Sequence, residues 1–402
     1  MFRHDTAARP APETVPPTRQ PASGARPSTS PPTLCEETAM TAQSGPPTPA
    51  RRAVLRGSVA VAAAGAVGWQ SATAAQAAPA PAPRAGAEAA EPRIYGTAEW
   101  GARPPEIDIV VEDHVPTFIV VHHTADPGNS EDYSLEHAKQ ICRDIQNFHM
   151  DGRGWGDTGQ QFTNSRGGFI LEGRHQSLDV VRGGTQHVQG ANVGGHNSEV
   201  IGIENEGIYT DVDVPPALWD SLVALVAWIA TQYGRPVENI LGHRDFNSTE
   251  CPGNILYGRL QELRDAVAGA MGVQSATPSV WPLLRPGSTG AQVRAAQHLL
   301  RAKGFEGLRA DGVFGPATKR AVVKLAEVHG VEQHVCSAAH HRTVDETGYL
   351  GSDIWPLLTP RLAEGANSEI GEAVATLRRS GGRTKGGSEL LTPRDWKGLL
   401  GS

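Results

Sequence analysis

The run Thr117-Phe118-Ile119-Val120-Val121 is apolar and rich in β-branched residues, and it leads directly into His122-His123. Such a run predicts a buried strand. The two imidazoles then stand at the strand's C-terminal end, where ligand sites of open α/β sheets collect. A sheet of this kind needs helical cover, and the flanking sequence supplies it. Leu135, Ala138, Ile141, Cys142, Ile145 and Phe148 recur at helical spacing, as do Leu218, Leu222, Leu225, Val226 and Ile229 within 216–233, where Gly234 stops the helix. Cys142 falls on an apolar stripe and reads as a plain buried thiol. Further strands are expected at 168–171, 200–204 and 239–241, with a last helix over 255–271. The expected fold class for 94–272 is therefore α/β, a mixed central sheet flanked by helices.

After a Ser/Thr/Pro linker (273–280) the pattern changes. Trp281-Pro282-Leu283-Leu284, Gly287, Gly290, Val293, Leu299, Leu300 and Asp311-Gly312-Val313-Phe314-Gly315 read as helix, turn, helix, a small all-α module over 281–358. Ile354-Trp355-Pro356-Leu357-Leu358 and Asp395-Trp396-Lys397-Gly398-Leu399-Leu400 echo its opening, so 359–402 is either a degenerate second copy, keeping Glu364-Gly365, Val374 and Leu377, or a tail.

Residues 1–93 read as unfolded leader, export signal and linker. The first fifty residues are crowded with Pro, Ser, Thr and Ala and lack apolar periodicity. Arg51-Arg52 then precedes an apolar stretch from Val59 to Trp69 and small residues to Ala78, the order of an export signal over about 50–78. The paired arginines followed by Val54-Leu55 and Arg56 look like the twin-arginine motif. The apolar stretch is too short and Ala/Gly-rich for a span, so a secreted protein with no stable membrane insertion after signal removal is expected. Translation from Met40 rather than Met1 would put the signal at the N-terminus. Export removes Cys35 and leaves Cys142, Cys251 and Cys336 in an oxidising compartment. The formal charge of −7 without a dense basic tract speaks against nucleic acid as partner.

His122, His243 and Cys251 form a candidate metal set. Two imidazoles and a thiolate suit borderline-soft zinc and leave a fourth position for water. On spacing alone the set is nonspecific. Its neighbours sharpen it: Val121-His122-His123-Thr124-Ala125, Gly242-His243-Arg244-Asp245, Thr249-Glu250-Cys251-Pro252-Gly253, Gly152-Arg153-Gly154-Trp155 and Trp100-Gly101-Ala102-Arg103 resemble, in order and spacing, the segments of the peptidoglycan recognition protein and bacterial amidase family over roughly 99–271.

That resemblance implies one Zn2+ held by His122, His243 and Cys251, bacterial peptidoglycan as substrate, and hydrolysis of the amide between the muramic acid lactyl group and L-Ala. His123 carries over as a site neighbour or a structural histidine. Where many relatives hold a Gly-Tyr-Asn-Phe run, this chain has Gly159-Gln160-Gln161-Phe162, and Gln160 has no acid-base chemistry. Ile201-Gly202-Ile203-Glu204 instead looks like the corresponding segment of anhydro-muropeptide amidases, which implies Glu204 as general base and then acid, with Glu206 as the fallback of equal side-chain parity. Thr249, two residues before the cysteine, is the expected oxyanion donor or else a loop-capping hydroxyl. Trp155 and His196 are candidate contacts to muramic acid or stem peptide, or packing residues.

The module at 281–358 resembles the peptidoglycan-binding domain often attached to cell-wall hydrolases, departing from it at 330–346, where His334, Cys336, His340 and His341 sit in an insertion that reads as a second metal site or as free surface histidines. Cys336 and Cys142 could pair only if the domains pack closely. The expectation is a secreted, monomeric zinc N-acetylmuramoyl-L-alanine amidase. The alternatives are a binding-only recognition protein and an intracellular recycling amidase. A glycosidase would need two carboxylates flanking a sugar cleft, and no such pair is tied to aromatic subsites.

Overall fold

The computed structural model describes residues 89–339, 344–361, 368–384 and 390–401. The export signal, Cys35, Met40, His340, His341 and Glu364-Gly365 lie outside the described residues.

Strands β1 (Ile94–Tyr95), β2 (Val111–Glu112), β3 (Phe118–His123), β4 (Phe162–Asn164), β5 (Ile170–Glu172), β6 (His187–Val188), β7 (Val200–Asn205) and β8 (Ile240–Gly242) form two sheets. The main sheet has the order β1-β5-β4-β7-β3-β8, and β2 pairs with β6. Pairing is parallel except at β4–β5 and β2–β6, so the main sheet is mixed. The predicted strand starting at 117 thus exists as β3 and carries both histidines within it. The turn residues Gly168 (φ +81°) and Phe169 precede β5, which moves that strand's start to Ile170. β4 escapes sequence reading because Thr163 and Asn164 are polar yet fully buried.

Side-chain alternation along β3 and β7 divides the interior. Ile119, Val121, Ile201 and Ile203 face a core completed by α4 (Pro216–Gln232) and α6 (Leu260–Met271). Val120 and Val200 face the opposite side with Leu241 and Phe246. Helix α1 (Thr97–Trp100) and α2 (Leu135–Asn147) pack with Leu171 through Trp100, Ala138 and Cys142. Ser134 caps α2 by accepting from the His137 N–H at 3.2 Å. Short α3 (Ser177–Gly183) precedes β6, and the last helix of this domain is broken at Arg259 into α5 (Asn254–Gly258) and α6. Cys142, Cys251 and Cys336 are free and buried, so the pairing of Cys142 with Cys336 does not occur.

The C-terminal part is all helical: α7 (Ala291–Ala302), α8 (Pro316–Val328), α9 (Trp355–Leu358), α10 (Ser368–Arg379) and α11 (Pro393–Leu399) share one core. The echoed tryptophans have a common role there. Trp281 stacks on Trp355, with ring centroids 6.0 Å apart. The Trp355 and Trp396 indole N–H groups donate to the Pro282 and Pro360 carbonyls at 2.7 and 3.0 Å. Each ring buries its apolar body while its single donor stays paired.

Trp396 is 1 % exposed in this shared core, so Trp396→Ala is expected to cost about 3–5 kcal/mol. Urea unfolding followed by fluorescence measures it; a cost under about 1 kcal/mol would show that α11 is not part of the module's cooperative core.

Candidate active site

In-register parallel pairing places His122 beside Glu204 on neighbouring strands. Residues opposite each other in such a pair project to the same face, here the one away from α4. The His122 Nδ1 and a Glu204 carboxylate oxygen are 3.9 Å apart, and both side chains are fully buried. Gly202 lies on the same face, and a Cβ there would meet the Asn192 side chain at 2.3 Å. That amide reaches the Gly159 carbonyl at 2.9 Å, and Gln161 accepts the Gly202 N–H at 2.7 Å, which fixes the neighbouring wall.

The other two candidate ligands arrive on the chain after β8. His243 begins a single 3₁₀ turn, His243–Asp245, closed by the Gly242 N–H donating to Asp245 at 2.8 Å. The Arg244 N–H donates to the Cys251 carbonyl at 3.0 Å, and the Arg244 guanidinium donates to the Glu250 carbonyl and to Asn254, clamping the two ligand positions together. Arg244 also lies 4.4 Å over the Tyr257 ring, whose hydroxyl donates to Asp245.

Nitrogens of His122 and His243 and the Cys251 sulfur lie within 4.8 Å of one another, all buried. The His122 Nδ1 is 3.7 Å from Cys251 Sγ; a tetrahedral centre with bonds of about 2.1 and 2.3 Å places such donors about 3.6 Å apart. The His243 Nε2 is engaged with Asn247 at 3.1 Å, whereas its buried Nδ1 has no hydrogen-bond partner among the described residues. Burial holds His243 down to about 4 and His122 well below its ordinary range, so both imidazoles are neutral. Two neutral imidazoles, each with a buried ring nitrogen that has no hydrogen-bond partner among the described residues, and a thiol fit a soft or borderline divalent metal.

Burial also raises Glu204 to about 8, opposed by hydrogen bonds from Ser337 and Cys336 and by the Arg153 charge. A carboxyl in such surroundings exchanges a proton near neutrality, as an acid-base residue must. Glu206 is equally buried but committed elsewhere: it pairs with His137 Nε2 at 2.8 Å and accepts the Arg166 N–H at 2.9 Å. None of its hydrogen bonds or ion pairs among the described residues reaches the His122–His243–Cys251 set.

Thr249 is buried, accepts the Cys251 N–H at 3.2 Å and donates to Glu346 at 3.0 Å. His123 projects to the other strand face, where its Nδ1 accepts the Tyr209 N–H at 3.3 Å. Trp155 is half-buried, packed against His149 with centroids 4.8 Å apart and covered by Arg153. His196 lies on Phe246 and pairs with Glu199 at 3.0 Å; its contacts among the described residues do not include the three donors. Gln160 donates to Thr163, the residue opposite Glu204 on β4.

The residues that sequence reading missed come from the helical module. His334 is not a free surface group: its ring covers Gly194, where even a Cβ would lie 2.1 Å away. Cys336, Ser337 and Ala338 are buried. Ser337 donates to Glu204 at 2.9 Å, and Cys336 Sγ lies 2.7 Å from the His123 carbonyl. His149 accepts the Gly159 N–H on Nδ1, so its Nε2 carries the proton and donates to the Ser337 carbonyl at 2.8 Å. Beside this segment a groove of about 600 Å³ runs between Asp126, Ile141, Phe148, Asp151 and Ala338. The signal in the sequence was the insertion itself, a departure from the module's pattern carrying thiol and imidazole groups.

Residues 112–254 match the family model described as N-acetylmuramoyl-L-alanine amidase, and 289–332 match the putative peptidoglycan binding domain. Peptidoglycan-recognition protein LB of Drosophila melanogaster is 29 % identical over 203 residues, covering 50 % of this chain and 82 % of that protein. Peptidoglycan-recognition protein SC2 of the same organism is 31 % identical, over 42 % and 84 %. The N-acetylmuramoyl-L-alanine amidase of Homo sapiens is 31 % identical over 42 % of this chain and 28 % of its own length. The solved structure of wild-type Drosophila PGRP-LB aligns over 46 % of this chain and 98 % of that one, at 26 % identity and a TM-score of 0.37.

The loop bearing Trp155 is anchored by Asp157, which accepts from Gln146 at 2.9 Å, the Thr158 N–H at 2.8 Å, and the backbone and ring of His175, both at 2.8 Å. Burial would raise Asp157, but these hydrogen bonds outweigh it and hold its carboxyl below the ordinary range, while Asp157 raises His175. Asp157→Asn sets an amide donor against donors and is expected to cost about 1–3 kcal/mol. The depressed carboxyl contributes above its unfolded value of about 3.9, and the raised imidazole contributes below about 6.5, so the wild-type advantage should peak between about pH 4 and 6.5. Denaturant unfolding of both proteins across pH checks it; a difference that does not vary with pH would rule out the ion pair.

Proposed function

This chain belongs to the family of N-acetylmuramoyl-L-alanine amidases and peptidoglycan-recognition proteins, and on that premise we propose that it is a secreted, zinc-dependent amidase that hydrolyses the lactyl–L-Ala amide of peptidoglycan. The observation that carries the reading is the meeting of His122, His243 and Cys251 with the Glu204 carboxylate at the C-terminal ends of parallel strands. Recognition alone needs no buried acid-base carboxyl beside three metal donors.

His122, His243 and Cys251 would hold the metal. Zinc, when bound, supplies a Lewis acid for the amide carbonyl and makes water acidic enough to ionise near neutral pH. Glu204 takes the proton of the attacking water and returns one to the leaving amine of L-Ala, a role suited to a carboxyl raised toward neutrality by burial. Thr249 directs its hydroxyl proton at the developing oxyanion once that proton is released from Glu346. Trp155 and His196 are assigned to contacts with the muramic acid and stem peptide, and His123, on the other strand face, is a structural neighbour of the site. Asn247 and the Arg244 clamp orient the ligands, as supporting partners do around metal sites.

The helical module holds the enzyme at the wall and raises its effective concentration there. Action on the wall implies work outside the cytoplasm; the Arg51-Arg52 signal supplies the twin-arginine route, and no described helix is long and apolar enough to cross a membrane. The chain is taken to act as a monomer. The relatives named as recognition proteins keep a second reading alive, wall binding without cleavage.

Digestion of purified wall, with products identified by mass spectrometry, is expected to release stem peptides with free N-terminal L-Ala and to stop on zinc chelation. Glu204→Ala should keep about one zinc per chain and lose at least about a hundredfold in rate, whereas His243→Ala should lose the zinc itself. Wall binding by zinc-replete protein, with no new amino termini even after removal of the 334–339 segment, would leave the recognition reading.

A further inference from the structure

The segment that covers the four chemical groups is part of the chain itself. It leaves the helical module after α8, crosses to the α/β domain and lies on the donor set: His334 on Gly194, Cys336 on the His123 carbonyl, and Ser337 between Glu204 and His149. Both Glu204 oxygens are 3.9 Å from the Cys336 sulfur. Arg153 donates to the Cys336 carbonyl at 3.4 Å, so three side chains of the α/β domain grip this stretch by its backbone and hydroxyl.

We infer that residues 334–339 are a built-in competitive inhibitor, a substrate-like strap that occupies the scissile amide's place over His122, His243, Cys251 and Glu204. The inference rests on the amidase reading of this site. Two observations carry it independently of any single side chain. First, His122, His243 and Glu204 are 0 % exposed and Cys251 1 % exposed with the strap in place, so no scissile amide can reach them, whereas a ligand site is an open cleft of at least about 300 Å³. Second, the strap uses the groups that the reaction needs. Ser337 takes an oxygen of the acid-base carboxylate, and Glu346, seven positions after the strap, takes the Thr249 hydroxyl.

The adjoining groove of about 600 Å³ uses Ala338 as part of its wall. Withdrawal of the strap therefore merges that groove with the covered donor set into one cleft. Substrate binding must then compete with strap closure, and the apparent affinity falls by the fraction of molecules that are open.

The test compares the full chain with a variant in which 334–339 is replaced by a Gly/Ser stretch of equal length, and with Ser337→Ala, which keeps the native backbone should the first variant fold poorly. Two rates are read: cleavage of a soluble muramyl tripeptide, and transfer of zinc to a chromophoric chelator. Opening the strap is expected to raise kcat/KM at least about tenfold, and Ser337→Ala about threefold, mainly through KM, with zinc transfer accelerated in the same order. Equal kcat/KM in an active wild type and both variants overturns the strap, whatever the zinc rates. Faster zinc transfer with no cleavage by any of the three proteins leaves the strap standing as a cover and sinks the amidase reading instead.

Discussion

The structure depends on burying a set of polar groups that can only be buried together. His122, Glu204 and His243 are fully buried and Cys251 nearly so, at a place in the sheet where strand register admits no alternative. A one-residue slip of β3 against β7 would turn His122 toward the α4 core and bring an apolar residue to the cleft. The long apolar alternation Ile119, Val121 against Val120 therefore does more than hold the sheet: it fixes which face the imidazole and carboxylate occupy.

The second requirement is to bring His243 and Cys251 to that face from a loop, and the chain meets it with backbone rather than bulk. The 3₁₀ turn, the Arg244 N–H on the Cys251 carbonyl and the Arg244 guanidinium on the Glu250 carbonyl make the nine residues from 243 to 251 one closed unit. Arg244 is itself buried, its charge neighboured by Tyr257 and Asp245. The planar fork of Arg244 ties the Glu250 carbonyl and Asn254 to the turn through directional hydrogen bonds.

What the sequence made legible follows from this division of labour. The buried strand ending in histidines, the α2 and α4 stripes and the Trp-Pro echoes are periodic or compositional signals, and each corresponds to an element or core position. The three candidate donors, which the structure brings together, stood out as motifs because their neighbours perform the clamping: Arg244 and Asp245 hold the loop that carries two of them. β4 was not legible, since its buried Thr163 and Asn164 look like loop residues until Glu204, Asn205 and Ser221 are seen beside them. Glu206 shares Glu204's parity by counting, yet the strand ends at Asn205 and the chain turns at Gly207, so counting no longer predicts direction there. The strap was illegible for another reason. Its partners are 130 residues or more away in the chain, and nothing local announces which surface an insertion will meet.

The same loop that carries Cys251 also carries the seam between the two domains. Ser248 pairs with Asp353 and accepts the Gly351 N–H, Glu346 accepts from Thr249 and the Glu250 N–H, and the Glu250 carboxylate is met by Arg285 and Tyr349. Three consecutive residues before a metal donor are thus held by the helical module, and two of them, Thr249 and Glu250, are almost fully buried by it. The donor loop is clamped from one side by Arg244 and from the other by the helical module, part of which matches a putative peptidoglycan binding domain. The contacts of the module with Ser248, Thr249 and Glu250 lie within three residues of Cys251, and the strap leaves that same module. Packed interfaces shift between discrete arrangements rather than stretch, and here the seam, the candidate donor loop and the strap share one set of contacts.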